Sequence, residues 1–171
     1  MYMCLPKKKY FQRVKYMEYD IPECKYTYRI KAVERVIDGD TLDVAIDLGF
    51  DVSTTQRVRL LGVDTPESRT ADAEEKKYGL LAKQKLKEWC MKALASDTDD
   101  IEIEIRCPKP DSREKFGRVL AEVWVSEGGR WTNVNKWLCD NGYAVFYTGQ
   151  NKKDVEKYHL ANRERVKHEI A

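Results

Sequence analysis

The chain has 171 residues, 42% hydrophobic and 35% charged, with a net charge of +2. That leaves room for one domain with a core plus an extension, and it excludes disorder for most of the length. No apolar run approaches the roughly 18 residues a membrane-spanning helix needs, and near-neutral charge argues against a protein that coats nucleic acid, so any such partner would meet a local cationic site.

Residues 1 to about 25 read as an extension. They carry Lys7-Lys8-Lys9 and the aromatics Tyr2, Tyr10, Phe11, Tyr16 and Tyr19 without a clean period. Such a segment either packs on the domain or frays, and a basic-aromatic strip can also grip a nucleic-acid strand. It lacks an apolar stretch with a small-residue cleavage site, so no secretory signal is expected and an intracellular or phage-encoded protein is the working expectation.

From Tyr26 onward the pattern becomes that of strands. YTYRIKAVERV runs into DGDT, and LDVAI then alternates Leu42, Val44 and Ile46 on one face. Asp38-Gly39 is a tight-turn signal, so the two runs form a hairpin. RVRLLGV supplies a third strand, and IEIEIR and RVLAEVWV a fourth and fifth, joined by CPKPDSREKFG. Between the third and fourth, a helix of roughly Ala71 to Ala95 carries Tyr78, Ala82, Leu86, Trp89, Cys90 and Ala93 as one apolar stripe. A shorter helix spans about Thr132 to Asn141, stopping at Asn141-Gly142, and a charged one about Lys153 to Ile170. Five short strands with a helix inserted after the third predict an α+β fold: an OB-type Greek-key barrel with about three helices over residues 26–171.

The five cysteines (Cys4, Cys24, Cys90, Cys107, Cys139) are scattered and contain no CxxC pair. Plain thiols in a reducing compartment fit better than a disulfide framework or zinc site. The only histidines, His159 and His168, fall in the charged C-terminal stretch, which counts against histidine-activated nucleophiles and zinc chemistry.

A set of polar residues is left over by the barrel pattern. Asp38 and Asp40 flank the turn, Arg59 starts the third strand, and Asp64 and Glu67 follow it around Pro66. Lys115, Gly117 and Arg118 cap the fifth strand. Singly, each reads as a turn former, a cap or a solvated charge. Together, two carboxylates at neighbouring strand ends offer hard oxygens to Ca²⁺. Two arginines can fork onto one phosphate, and a third carboxylate can orient or deprotonate a water. Phosphodiester hydrolysis asks for that combination.

VIDGDTLDV, RLLGVDTPES, KKYGLLAKQKL and KFGRVLAEV, in that order, resemble the signature segments of staphylococcal-nuclease-like domains, the thermonuclease family. The resemblance covers about Tyr28 to Val166. It implies Ca²⁺ held by the side chains of Asp40 and Asp64 and the carbonyl of Thr65. Glu67 is implied beside the attacking water, Arg59 and Arg118 on the phosphate, and Lys115 near the 3′-side phosphate. Phe116 replaces the tyrosine common in the family, removing a hydroxyl from the phosphate site while keeping a stacking face. Of Tyr143, Phe146 and Tyr147, Tyr147 is taken as the aromatic beside a base, with packing of the barrel as the ordinary alternative for all three. The expected activity is calcium-dependent hydrolysis of DNA and RNA, with little sequence preference and 3′-phosphate products, by a monomer that needs no membrane. A non-catalytic OB module that docks nucleic acid or protein is the rival reading.

Overall fold

A computed structural model describes residues 21–94 and 101–170. The elements are β1 (Tyr26–Asp38), β2 (Thr41–Asp47), β3 (Ser53–Leu60), β4 (Val63–Asp64), α1 (Ala73–Leu94), β5 (Ile101–Cys107) and β6 (Val119–Glu127), followed by β7 (Arg130–Asn133), α2 (Val134–Asp140), β8 (Val145–Phe146), α3 (Lys152–Val166) and a 3₁₀ turn at Lys167–Glu169.

Strand neighbours run β3-β2-β1-β5-β6, and β3 also pairs with β6, which closes five strands into a barrel. The closing pair is parallel, through Val58↔Val119, Arg59↔Leu120 and Leu60↔Ala121, while the other barrel pairs are antiparallel. The expected OB-type α+β fold is therefore present, with β7 added as a hairpin on β6. One long strand serves two partners: β1 pairs with β5 through Tyr26–Arg29 and with β2 from Ile30 onward, with register shifts along the second stretch. Bulges of this kind sharpen twist and bend a strand, as a small closed barrel requires.

Inside the barrel Leu42, Val44, Val58, Leu60, Ile105, Ala121 and Val123 are at most 1% exposed. Each buried Val, Leu or Ile contributes roughly 1.5–3 kcal/mol relative to an exposed one. The α1 stripe of Ala82, Leu86, Cys90 and Ala93 covers the same core, and Tyr78 and Trp89 pack at its margin. Asp72 starts this helix, its Oδ1 accepting from the backbone N–H of Glu74 and Glu75 at 2.9 and 3.1 Å. The second helix begins later than expected because Asn133, at the end of β7, caps it by accepting from Lys136 N at 3.0 Å.

The end of the predicted extension docks on the barrel. Lys25 N donates to Cys107 O at 2.9 Å, and Ile21 packs against the core. Residues 1–20, with the basic-aromatic strip and Cys4, lie outside the described residues. Cys90 and Cys107 are core thiols, and burial pushes them up to about 12 and about 11.

Candidate active site

Gly39 and Asp40 form the two-residue loop between β1 and β2, flanked by the pair Asp38↔Thr41. Gly39 is needed for space: a Cβ there would lie 2.7 Å from Ala82 Cβ and 3.0 Å from Thr65 Cγ2. The loop is thereby pressed between α1 and the segment after β4. Asp40 is 7% exposed and its carboxylate is held on both oxygens. Oδ1 accepts from Thr41 Oγ1 at 2.9 Å, and Oδ2 accepts from Thr65 N and Thr65 Oγ1 at 3.2 and 3.0 Å and pairs with Arg59 Nη1. Asp38, on the other side of the loop, is bound by Ser68 Oγ and by Arg69 Nη2, the latter at 2.9 Å. Both aspartates therefore tie the DTPES turn to the start of the barrel.

Alternation along β3 buries Val58 and Leu60 and turns Arg59 to the opposite side. Its guanidinium bridges two carboxylates: Nη1 meets Asp40 and Nη2 meets Asp64 Oδ1 at 3.2 Å. Burial pulls the Arg59 pKa below its ordinary value; Asp64 opposes that shift and Arg118 adds to it. Asp64 itself ends the short β4, which pairs with β8 through Val63↔Phe146 and Asp64↔Val145. That ladder, absent from the sequence reading, is what holds the carboxylate at the barrel rim.

Beyond Asp64, Thr65, Pro66 and Ser68 are buried, while Glu67 is exposed. Glu67 N donates to Glu75 Oε1 at 3.3 Å. The helix α1 passes directly beneath: a Cβ on Gly79 would lie 2.5–2.6 Å from Glu67 C and O and Ser68 N. A glycine in a helix interior costs about 1 kcal/mol relative to alanine, so this one is retained for the close approach. Gly79→Ala should lose about 1–3 kcal/mol by overpacking, read from urea unfolding. It should also lose activity out of proportion to stability, because it displaces the Glu67 backbone.

Arg118 lies one residue before β6, and Glu114 holds it. Glu114 Oε1 accepts from Arg118 Nε at 3.0 Å, Arg118 N at 3.3 Å and Phe116 N at 3.1 Å. The Arg118 guanidinium holds the Glu114 carboxyl below the usual carboxylate range. The turn presents Phe116 at 72% exposure, with Lys115 Nζ 4.9 Å and Arg118 Cζ 5.9 Å from its ring centroid.

Asp38, Asp40, Thr41, Arg59, Asp64, Thr65, Pro66, Glu67 and Arg118 line one pocket of about 160 Å³. The structure thus brings together Asp40, Arg59, Asp64, Thr65, Glu67 and Arg118. Beside it runs a groove of about 750 Å³ that shares Arg59, Asp64 and Arg118 and is lined further by Phe116, Tyr147, Lys152 and His159. Lys115 stands beside Phe116 but outside the lining of both spaces. The three candidate aromatics separate: Tyr143 and Phe146 are buried at 9% and 6%, and Tyr147 is 38% exposed in the groove. Tyr143 is structural, stacked on Trp137 with centroids 5.4 Å apart and donating to Glu169 at 2.7 Å.

Three contributors escaped the sequence reading. Glu114 was not singled out, and His159 fell in the charged C-terminal stretch; Asp38 was read only as a turn former. Asn135 is 1% exposed: its Oδ1 accepts from Val123 N at 2.9 Å and its Nδ2 donates to Leu61 O at 3.0 Å, joining β6 to the end of β3. A polar residue at a buried helical position was the available signal.

The donor set suits a hard divalent cation. Arg59 meets Asp40 through Nη1 and Asp64 through Nη2, so one guanidinium links the two carboxylates, and the adjoining Thr65 is buried. Among the described residues no group of three or more His, Cys, Asp or Glu side chains is arranged to hold a metal. A cation here would rely on two carboxylates, the Thr65 carbonyl and water, which is compatible with Ca²⁺.

Comparison with known proteins agrees with this architecture. A model of the staphylococcal nuclease homologue family matches residues 57–168. Thermonuclease of Staphylococcus intermedius is 40% identical over 120 residues, covering 70% of this chain and 62% of its own length. An uncharacterized protein of Methanocaldococcus jannaschii is 33% identical over 127 residues, covering 67% and 58%. Endonuclease YncB of Bacillus subtilis is 31% identical over 134 residues, covering 77% and 56%. The chain spans 56–62% of the length of these relatives. With the match running from β3 through α3, the chain belongs to the staphylococcal nuclease homologue family.

Proposed function

We propose that this pocket hydrolyses phosphodiester bonds of DNA and RNA with Ca²⁺ as cofactor and little sequence preference, leaving 3′-phosphate ends. The observation that carries the reading is the convergence of Asp40, Asp64, Glu67, Arg59 and Arg118 on one pocket of about 160 Å³. Two of the relatives are named as a thermonuclease and an endonuclease, which supports the same chemistry.

Ca²⁺ held by Asp40, Asp64 and the Thr65 carbonyl would neutralise phosphate charge and organise water. The residues supply the rest. Arg59 and Arg118 are close enough for Arg118 to depress the Arg59 pKa, and an anion placed between two such cations relieves their repulsion. Their planar donors follow the charge that grows on the phosphate oxygens in an in-line displacement. Glu67, on a turn braced by Pro66 and Gly79, orients or deprotonates the attacking water on the side away from the departing 5′ oxygen. Phe116 and Tyr147 offer ring faces to bases along the groove, and Lys115 adds charge near the strand. Such contacts favour single strands and carry little sequence information.

The test is cleavage of labelled single-stranded DNA and RNA with Ca²⁺ and with chelator, followed by end-group analysis. Hydrolysis that persists fully in chelator removes the calcium reading, and binding without any hydrolysis leaves a docking module. The structure also selects the better ligand variant. Removing the buried Asp40 strips the partly buried Arg59 of a counter-charge, and breaking a buried pair costs up to about 3–5 kcal/mol. Asp64 is 30% exposed in its side chain, so Asp64→Asn should stay folded. It should weaken calcium binding roughly tenfold or more, since ligand charge governs affinity. Calorimetric titration alongside a melting curve checks both statements.

A further inference from the structure

The charged C-terminal helix reaches into the site through one side chain. His159 Nε2 lies 2.9 Å from Asp64 Oδ2, across a sequence separation of 95 residues. Its side chain is 12% exposed and Asp64's is 30%. The other oxygen of Asp64 is held separately, by Arg59 Nη2 at 3.2 Å. The carboxylate is thus gripped from two sides, by a strand on one and a helix on the other.

The tautomer follows from the second ring nitrogen. His159 Nδ1 is buried and meets no hydrogen-bond partner among the described residues. Placing the single proton of a neutral imidazole on Nδ1 would bury an unpartnered N–H and turn the Nε2 lone pair onto an anionic oxygen. Placing it on Nε2 makes a charge-assisted hydrogen bond to Asp64. The same fact argues against Nε2 as a metal ligand, because a ligating histidine donates its other N–H to a nearby acceptor. The ring also sits on a well-anchored element. Asn151 caps α3, Asn162 Nδ2 donates to Ala144 O at 2.9 Å, Arg165 Nη2 donates to Asp140 O at 2.7 Å, and Val155 and Val166 are buried.

We infer that His159 is a positioning residue: it donates Nε2–H to Asp64 and fixes that carboxylate for the cation, so that docking of α3 sets calcium affinity. This rests on the assignment of Asp64 as a calcium ligand. The role is separate from direct contact with the reacting phosphate. Outer partners of metal-ligating groups typically change affinity or activity by about 10–100-fold when removed.

Two variants separate the donor from the ring. His159→Leu removes both, whereas His159→Gln removes the ring but restores an N–H₂ donor at similar reach. Both share whatever packing cost the ring's loss carries, so melting temperatures should fall by similar amounts. Calcium titration should show His159→Leu weakened by about 10-fold or more and His159→Gln recovering most of the loss, with turnover at saturating calcium changed far less than calcium affinity. Equal calcium affinities in the two variants, or a parental or tighter affinity in His159→Leu, would overturn the assignment while leaving the metal site standing. A parent protein that binds no calcium in the same titration would remove the metal reading and this inference together.

Discussion

Replacing Glu67 with glutamine should lower the maximal rate of DNA hydrolysis by about 10²–10⁴-fold, the usual contribution of a general acid–base group, while calcium and nucleotide binding persist. The structure makes this a clean experiment. Glu67 is exposed and acts on Arg59 only through its charge, so the isosteric change should move stability by no more than about 0.5 kcal/mol. Its backbone is tightly placed: Pro66 and Ser68 are buried on either side, and Gly79 lies beneath. Glu67→Asp keeps the charge but withdraws it by one methylene. That variant should also be slow, because a catalytic group misplaced by about 1 Å can cost on the order of 10²-fold. Single-turnover rates, calcium affinity and melting temperature on both variants decide the matter. A rate within a few-fold of the parent, with binding intact, would exclude Glu67 from the reaction and weaken the hydrolytic reading as a whole.

What the sequence made legible was whatever has a period. Leu42, Val44 and Ile46 alternate inward as expected; of Ile101, Ile103 and Ile105, expected to point inward, the last two are buried and Ile101 is partly buried, and the α1 stripe lands on the core with Leu86, Cys90 and Ala93 buried. The β4–β8 ladder has no such signal, since two residues per strand are too few for alternation to show. Yet that ladder holds Asp64 at the rim and draws Val145 and Phe146 inward, which leaves Tyr147 as the aromatic in the groove. Gly39 was read for its turn and matters for its missing side chain, because Ala82 and Thr65 crowd it. The polar residues of the pocket could be grouped from motif order alone. Their contacts could not: the Arg59 bridge, the Glu114 brace and the reach of His159 depend on distances set by tertiary packing. A histidine amid lysines and glutamates reads as a surface residue until α3 is docked against Asp64.

Arg118→Lys should cut turnover by about 10²-fold or more, the loss seen when one preorganised donor to a growing oxyanion is removed. Of the two arginines it gives the sharper test. Arg59 bridges Asp40 and Asp64, so changing it disturbs the carboxylates and the charge balance of a partly buried cluster. Arg118 is 31% exposed in its side chain, and among the described residues its guanidinium is hydrogen-bonded at Nε, to Glu114 in a neighbouring loop position. An ion pair so placed is worth about 0–1 kcal/mol, and a lysine ammonium can still approach Glu114, so the melting temperature should barely change. What lysine cannot reproduce is geometry. A guanidinium that spends Nε on Glu114 keeps a planar pair of terminal nitrogens at a defined angle, whereas an ammonium is a single, strongly hydrated point of charge. Ground-state attraction to a phosphate survives that exchange better than two directed bonds to an oxygen whose charge is rising. The loss should therefore fall on kcat, with KM changed only a few-fold. Oligonucleotide affinity, measured without turnover on the Glu67→Gln background, should stay close to that of the single variant. An unchanged kcat would reduce Arg118 to a surface cation held by Glu114. A rise in KM with kcat intact would confine it to binding the strand.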